Sequence, residues 1–282
     1  MEKSRYLFQM YYLGKSKYYG SQRQPQFLTI EDNIIEALIN RNYIKNIKDS
    51  EFEVASRTDR FVSARGACFT CVLEKNPILM EINSALPNEI GVWAYTKVPL
   101  NFSSRYNATL RHYLYVLPKP LSSYQKTEII NIDIMKKACH QLEGKHDFIN
   151  FSKRDTNEKT TMRDMDCVKL SIKNGYINFQ FKSRAFLRQQ IRRMVKKILE
   201  LGVGEIKYDD FLDLLDPTKT FSYQPANPRG LILWDIKYEN EIRVKVDKKS
   251  EERMTKFFLK KELASGFKHQ LFKFMQHNDF SQ

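Results

Sequence analysis

The run Ala55-Ser56-Arg57-Thr58-Asp59-Arg60 sets one carboxylate among cations, with Arg65 close behind. Nearby cations favour the ionised form of a carboxylate. An ionised carboxylate can act as a nucleophile or a base. A turn aspartate neutralised by its neighbours has the same pattern, so spacing alone leaves both readings open. A second run, Ala108-Thr109-Leu110-Arg111-His112-Tyr113-Leu114-Tyr115, reads as a strand. Alternation puts Arg111, Tyr113 and Tyr115 on one face. Aromatic rings beside an arginine can stack an unpaired base; a core face with hydroxyls at its rim would read alike. A third run, Ala185 to Val195, has helical periodicity. Leu187, Ile191, Met194 and Val195 share an apolar face, and Arg188, Arg192 and Lys196 form a cationic stripe beside it. That stripe could line a cleft or face solvent.

Other chemistries find little support. Cys68 and Cys71 lie three apart on an expected strand and so point to opposite faces, and Cys139 and Cys167 have no metal-site spacing to them. The five histidines form no HxH or HExxH pattern. There is no phosphate-binding P-loop, dinucleotide fingerprint or Gly-x-Ser-x-Gly. Four cysteines are too few for a disulfide scaffold. No uncharged apolar run approaches the ~20 residues of a spanning helix, and the N-terminus has no signal-peptide pattern. The expectation is a cytoplasmic protein with no membrane partner.

The elements that must position these runs follow from periodicity. Strands are expected over 5–13, 51–55, 66–74 and 90–98, with helices over 30–42 and 78–85. Thr29 is the cap of the first helix, with Asp32 in capping-box position. Ile30, Ile34, Ile35, Leu38 and Ile39 form its apolar stripe. The order is β-α-β-β-α-β, a ferredoxin-like unit. The second half repeats it, with strands over 109–117, 165–173, 176–182 and 231–238 and helices over 133–142, 186–201 and 209–215. Asn174-Gly175 marks a hairpin turn. Two such units predict an α+β fold: a mixed, largely antiparallel sheet with a cleft where the halves meet. We divide the chain into 1–104, 105–244 and an appended helical tail, 245–282. The polar stretch 152–163 reads as a loop able to wrap a ligand.

Charge points to the ligand. The chain carries 47 Lys and Arg against 33 Asp and Glu, a formal charge of +14. Residues 151–200 supply +8 of it, with 13 basic and 5 acidic side chains. Within them, 182–197 carries Lys182, Arg184, Arg188, Arg192, Arg193, Lys196 and Lys197 and no acid. Such a cluster can contact successive phosphates, and a polyanion, most simply nucleic acid, is the expected partner.

In order and spacing, these segments resemble the tRNA pseudouridine synthase A family. Arg57-Thr58-Asp59 followed by Val62-Ser63-Ala64 is similar to its catalytic-aspartate loop. The stretch from Gly14 through Tyr18-Tyr19-Gly20 to Gln22-Arg23-Gln24 is similar to its N-terminal signature. Ala108 to Tyr115 resembles its tyrosine strand, and Phe186-Leu187 through Arg192 its arginine helix. Glu143-Gly144, Asp147-Phe148 and Gly230-Leu231 also fit. The resemblance implies the pseudouridine synthase fold and isomerisation of uridine in tRNA, in the best-known branch within the anticodon stem-loop. It implies a homodimer that needs no cofactor and no metal. It assigns catalysis to Asp59, Tyr113 and Arg192, with Tyr113 stacked on the target base and Arg192 paired with Asp59. It assigns substrate binding to Arg57, Arg60, Arg23, Gln22, Arg188 and Tyr113. The chain departs from the pattern at Leu13, Phe61, Ser63 and Gln189. Phe61 replaces a usual glycine, and a phenylalanine resists positive φ, so a differently shaped loop is expected. Without the resemblance, a non-catalytic RNA-binding module would also fit, as would the same chemistry at other tRNA positions.

Overall fold

The computed structural model describes residues 3–127, 130–153, 159–239 and 241–276. The first half contains β1 (Ser4–Tyr12), α1 (Ile30–Asn40), α2 (Ile47–Ser50), β2 (Glu53–Val54), β3 (Ser63–Leu73), α3 (Leu79–Ser84) and β4 (Ile90–Val98). The second contains β5 (Leu110–Pro120), α4 (Leu121–Thr127), α5 (Ile132–Gln141), β6 (Gly144–Asp147), β7 (Met162–Lys173), β8 (Tyr176–Ser183), α6 (Gln190–Gly202), α7 (Tyr208–Asp213) and β9 (Leu231–Lys237). β10 (Lys245–Val246) and α8 (Lys248–Met275) follow.

All ten strands belong to one mixed sheet, in the order β10-β4-β1-β3-β9-β5-β8-β7-β6, with β2 paired to β3. Within the halves, β4-β1-β3-β2 and β9-β5-β8-β7 follow the same order, so the expected ferredoxin-like repeat is real although the sequences do not repeat. Pairing is antiparallel inside each half. The halves join by a short parallel ladder, Ser63 opposite Ile232 and Ala64 opposite Leu233. β3 enters that ladder directly after the Asp59 loop. The seam of the sheet therefore brings that loop against the second half.

Local chemistry explains the elements that matter. The Thr29 hydroxyl accepts from the Asp32 N–H at 3.3 Å, and the Asp32 carboxylate accepts from the Thr29 N–H at 3.0 Å, a reciprocal cap. α1 buries Ile30, Ile34, Ile35, Ala37 and Leu38, while Ile39 lies outside the stripe and is exposed. β1 is central, and every residue from Tyr6 to Tyr12 is buried. One apolar core runs through both halves. A smaller cluster of Tyr11, Trp93, Ala94 and Met254 forms under the first turns of α8. From Leu259 onward α8 is exposed on every side.

Several elements differ from expectation, among them β3, which starts at Ser63 rather than 66, and α2, α4 and β10, which were not expected. α6 starts at Gln190 rather than 186, because Gln189 adopts φ +61 and the Gln190 side chain accepts from the Leu187 N–H at 2.8 Å. β6 was not expected: Gly144-Lys145-His146-Asp147 is an edge strand with no apolar alternation. β7 begins at Met162, inside the stretch read as a loop, and residues 154–158 of that stretch lie outside the described residues.

Asn83 ties α3 to β4 and α8. Its amide donates to the Val92 carbonyl at 2.8 Å and to Ser250 at 3.1 Å, and accepts from the Val92 N–H at 2.8 Å, all buried. Asn83→Ala strands those partners and is expected to cost about 2 kcal/mol. Urea unfolding of the variant against wild type measures the loss.

Candidate active site at the seam

An open cleft of roughly 1280 Å³ lies where the halves meet, walled by residues from both. Asp59 lines it. Its Oδ2 accepts a hydrogen bond from the Arg192 Nη1 at 2.7 Å. The guanidinium is 11% exposed and the carboxylate 37%, so the cation sits behind an anion that faces the cleft. Oδ1 makes no hydrogen bond among the described residues. Arg192 is itself fixed: its Nε donates to the Ala226 carbonyl at 2.7 Å, and the Ala226 N–H donates back to the Arg192 carbonyl at 3.0 Å.

The loop carrying Asp59 is held residue by residue. The Thr58 N–H donates to the Ser21 hydroxyl at 2.8 Å, and the Ser21 N–H donates to the Thr58 carbonyl at 3.1 Å. The hydroxyls of Tyr12 and Thr58 share a hydrogen bond of 2.8 Å. The Val62 N–H closes the turn onto the Asp59 carbonyl at 3.2 Å. Gly20, at φ +95, presses so closely that a Cβ there would lie 2.9 Å from the Thr58 carbonyl oxygen.

Phe61 does adopt the left-handed conformation, with φ +70, contrary to the expectation that a phenylalanine would resist it. Such a backbone costs a non-glycine residue about 1–3 kcal/mol. Its ring lies under two guanidiniums, Arg229 at 3.9 Å and Arg60 at 4.9 Å. Cation–π contacts of ~0.5–1 kcal/mol each offset much of that cost.

Tyr113 lines the cleft with its ring 7% exposed, edge-on to Phe186 at 5.2 Å. Burial pushes its phenol up from the ordinary value. The ring is thus a neutral platform at physiological pH. Arg111 shares its face but does other work. It is buried and donates to the carbonyls of Ala55 and Arg105, each at 2.9 Å, to the Ser56 hydroxyl at 2.8 Å, and to the Arg184 carbonyl. All three guanidinium nitrogens are engaged with protein, so Arg111 staples the cleft wall. Tyr115, also on that face, is fully buried and donates to the Asn227 carbonyl at 2.8 Å.

Three comparisons bear on this geometry. A family model described as tRNA pseudouridine synthase matches residues 138–239. The tRNA pseudouridine synthase A of Methanosphaera stadtmanae is 33% identical over 256 residues, 89% of this chain and 89% of that protein. The chain belongs to that family. The tRNA pseudouridine synthase A of Methanothermobacter thermautotrophicus is 34% identical, covering 86% of this chain and 84% of that protein. The Pyrococcus furiosus protein of the same name is 33% identical, covering 90% and 89%. The family is one of isomerases, and this chain has its mixed α+β architecture.

The cleft gathers the residues that the resemblance singled out: Asp59, Tyr113, Arg192, Gln22, Arg23, Arg57, Arg60 and Arg188 all line it. They differ in availability. Arg57 and Arg188 are exposed. Arg23 is paired with Asp32 at 2.8 Å. Arg60 lies over the Tyr19 ring at 3.9 Å and donates to the Ser16 carbonyl at 2.6 Å. Arg65, read as a cation near Asp59, instead lies between the rings of Trp93 and Trp234, 5.1 Å from each, and does not line the cleft. The charge facing Asp59 comes from Arg192, 133 residues away.

The basic run 182–197 also divides. Arg184, Arg188 and Arg192 line the cleft. Lys196 and Lys197 pair with Glu200 at 2.9 and 2.6 Å, and Lys197 lies over Tyr223 at 4.3 Å. The two lysines share a single carboxylate and do not line the cleft, so within this run the cleft-facing cations are Arg184, Arg188 and Arg192. Sequence reasoning missed the supporting set of Tyr12, Ser21, Thr58 and Ala226. Their roles depend on contacts across long stretches of chain, and no local pattern marks them. Among the described residues, no group of three His, Cys, Asp or Glu side chains could hold a metal, and no helix is long and apolar enough to cross a membrane.

Glu89 anchors the start of the loop that flanks the cleft. It pairs with Lys15 and Lys17, each at 2.9 Å, and accepts from the Tyr18 hydroxyl at 3.3 Å. Burial pushes its carboxyl up, but hydrogen bonds from Lys17 and Lys15 outweigh this and hold it down at about 2. A depressed carboxylate stabilises the fold above its unfolded value, and that contribution fades as pH falls through the folded one. Glu89→Gln is therefore expected to lose about 1 kcal/mol at neutral pH, allowing for solvent screening. The gap from wild type narrows between the ordinary glutamate range and pH 2. Thermal melts across that range check it.

Proposed function

We propose that the protein converts uridine to pseudouridine in tRNA, with Asp59 as its catalytic carboxylate. The observation that carries this reading is the Asp59–Arg192 pair lining a cationic cleft, with one carboxylate oxygen bonded to the guanidinium and the aspartate side chain partly exposed. The reaction breaks the bond from the ribose C1′ to N1 of uracil and makes one from C1′ to C5. A proton leaves C5 and one is gained at N1, so the change is an isomerisation with no net redox. Asp59 is placed to act on the ribosyl-uracil, and Arg192 orients it.

The detached base must neither escape nor react with water. Tyr113 supplies the platform beneath it, and Phe186 fixes the tilt of that ring. The target nucleotide leaves its stack to reach the cleft, at a cost of a few kcal/mol. The exposed guanidiniums of Arg57 and Arg188 can offset that cost through phosphate contacts. Because burial raises the Tyr113 phenol, the ring serves first as a stacking surface; removal of the C5 proton by its oxygen would need a base-assisted step. The resemblance supports the anticodon stem-loop as target and a homodimer as the working form.

Asp59→Ala is expected to lower pseudouridine formation by about three orders of magnitude or more while tRNA binding persists. Release of label from tRNA carrying 5-tritiated uridine measures turnover, and filter binding measures affinity. Normal turnover in the variant would refute the assignment. Tyr113→Phe keeps the ring and is expected to retain tRNA affinity within about twofold, whereas Tyr113→Ala loses both turnover and base stacking worth about 1–3 kcal/mol. Sequencing of the modified transcripts locates the target uridines.

A further inference from the structure

Phe61 sits two residues after Asp59, yet it does not line the cleft. It is where the chain turns from the aspartate loop into β3, and the turn requires its left-handed backbone at φ +70. Little room exists for a different path. A Cβ on Gly14 would lie 2.3 Å from the Phe61 carbonyl carbon and oxygen, so the neighbouring loop already rests on that peptide.

The ring belongs to a continuous series of ring and guanidinium contacts. Phe27 lies on Tyr19 at 4.1 Å, Tyr19 under Arg60 at 3.9 Å, and Phe61 between Arg60 at 4.9 Å and Arg229 at 3.9 Å. Arg60 belongs to the first half and Arg229 to the second. The segment 226–229 that supplies Arg229 also supplies the carbonyl that fixes Arg192 and the one that accepts from Tyr115. One strut thus supports the aspartate loop at both ends, through Arg192 at the carboxylate and through Arg229 at the turn.

We propose that Phe61 is a positioning residue for Asp59. Its ring, clamped between Arg60 and Arg229, holds the left-handed turn that sets the carboxylate against Arg192. This rests on the reading of Asp59 as the catalytic carboxylate. The ring does not line the cleft, so its loss is expected to act on the chemical step and to leave tRNA binding intact.

The test compares Phe61→Leu with Phe61→Tyr. Both keep a Cβ and the same backbone demand; only tyrosine keeps the π face. Phe61→Leu is expected to lower kcat about ten- to a hundredfold, the size of effect that a small misplacement of a reacting group produces. KM for tRNA stays within about twofold. Phe61→Tyr restores kcat. Arg229→Gln is expected to lower kcat similarly, and the double variant Phe61→Leu/Arg229→Gln to fall no further than either alone. Rates are expressed per tRNA-binding site, so that unfolded protein does not count. Should Phe61→Leu fail to fold, Arg229→Gln alone reads the same kcat–KM split. Unchanged kcat in these variants, a change confined to KM, or additive losses in the double variant would overturn the proposal. Asp59→Ala in the same series separates the two claims. An active Asp59→Ala removes the underlying reading; an inactive one beside a fully active Phe61→Leu removes only this inference.

Discussion

The 2.7 Å contact between Arg192 and Asp59 is the constraint on which the rest of the structure turns. It joins a loop of one half to a helix of the other, so the fold must place two elements 133 residues apart within hydrogen-bond reach. The parallel ladder of β3 and β9 provides the coarse placement. The fine placement comes from fixing each partner separately: Thr58 by Ser21 and Tyr12, Arg192 by Ala226. A buried guanidinium with a single half-exposed partner would be a poor source of stability. Here the cation has a carbonyl as well, and the anion keeps one face toward solvent. That arrangement suits a group meant to react.

The cationic character of the chain is distributed unevenly between structure and solvent. Arg111 is engaged by backbone carbonyls and the Ser56 hydroxyl, Arg65 packs against two indoles, and Lys196 and Lys197 share the one carboxylate of Glu200. What the cleft presents to a polyanion is a smaller set, including Arg57 and Arg188. Net charge thus describes long-range attraction, while affinity at the site depends on the few cations with donors to spare.

Much of this was legible in the sequence. The two βαββαβ orders could be read because β1, β5 and the helices α1 and α5 carry clean periodicity and caps. The aspartate loop and the tyrosine strand could be located, and the resemblance paired Arg192 with Asp59 correctly. What failed has definite causes. Alternation put Arg111 on the right face, but a face does not reveal whether carbonyls wait there. The basic run seemed free of acid because Glu200 lies just past its end, one helical turn from Lys196. Phe61 seemed incompatible with positive φ because its compensation comes from Arg229, 168 positions later. β6 escaped because an edge strand of Gly-Lys-His-Asp has no pattern to detect.

β9 has a place in the order of assembly as well as in the sheet. It completes the second half beside β5 and simultaneously docks the first half through β3, whose partner residues precede it by roughly 170 positions. A chain emerging from the ribosome can form β1, β3 and β4 early. It cannot close its seam until residues 231–237 are made. Until then, the start of β3 and one edge of β5 wait unpaired, exposed to wrong neighbours. The last strand of the body is thus the one that turns two half-sheets into one working groove.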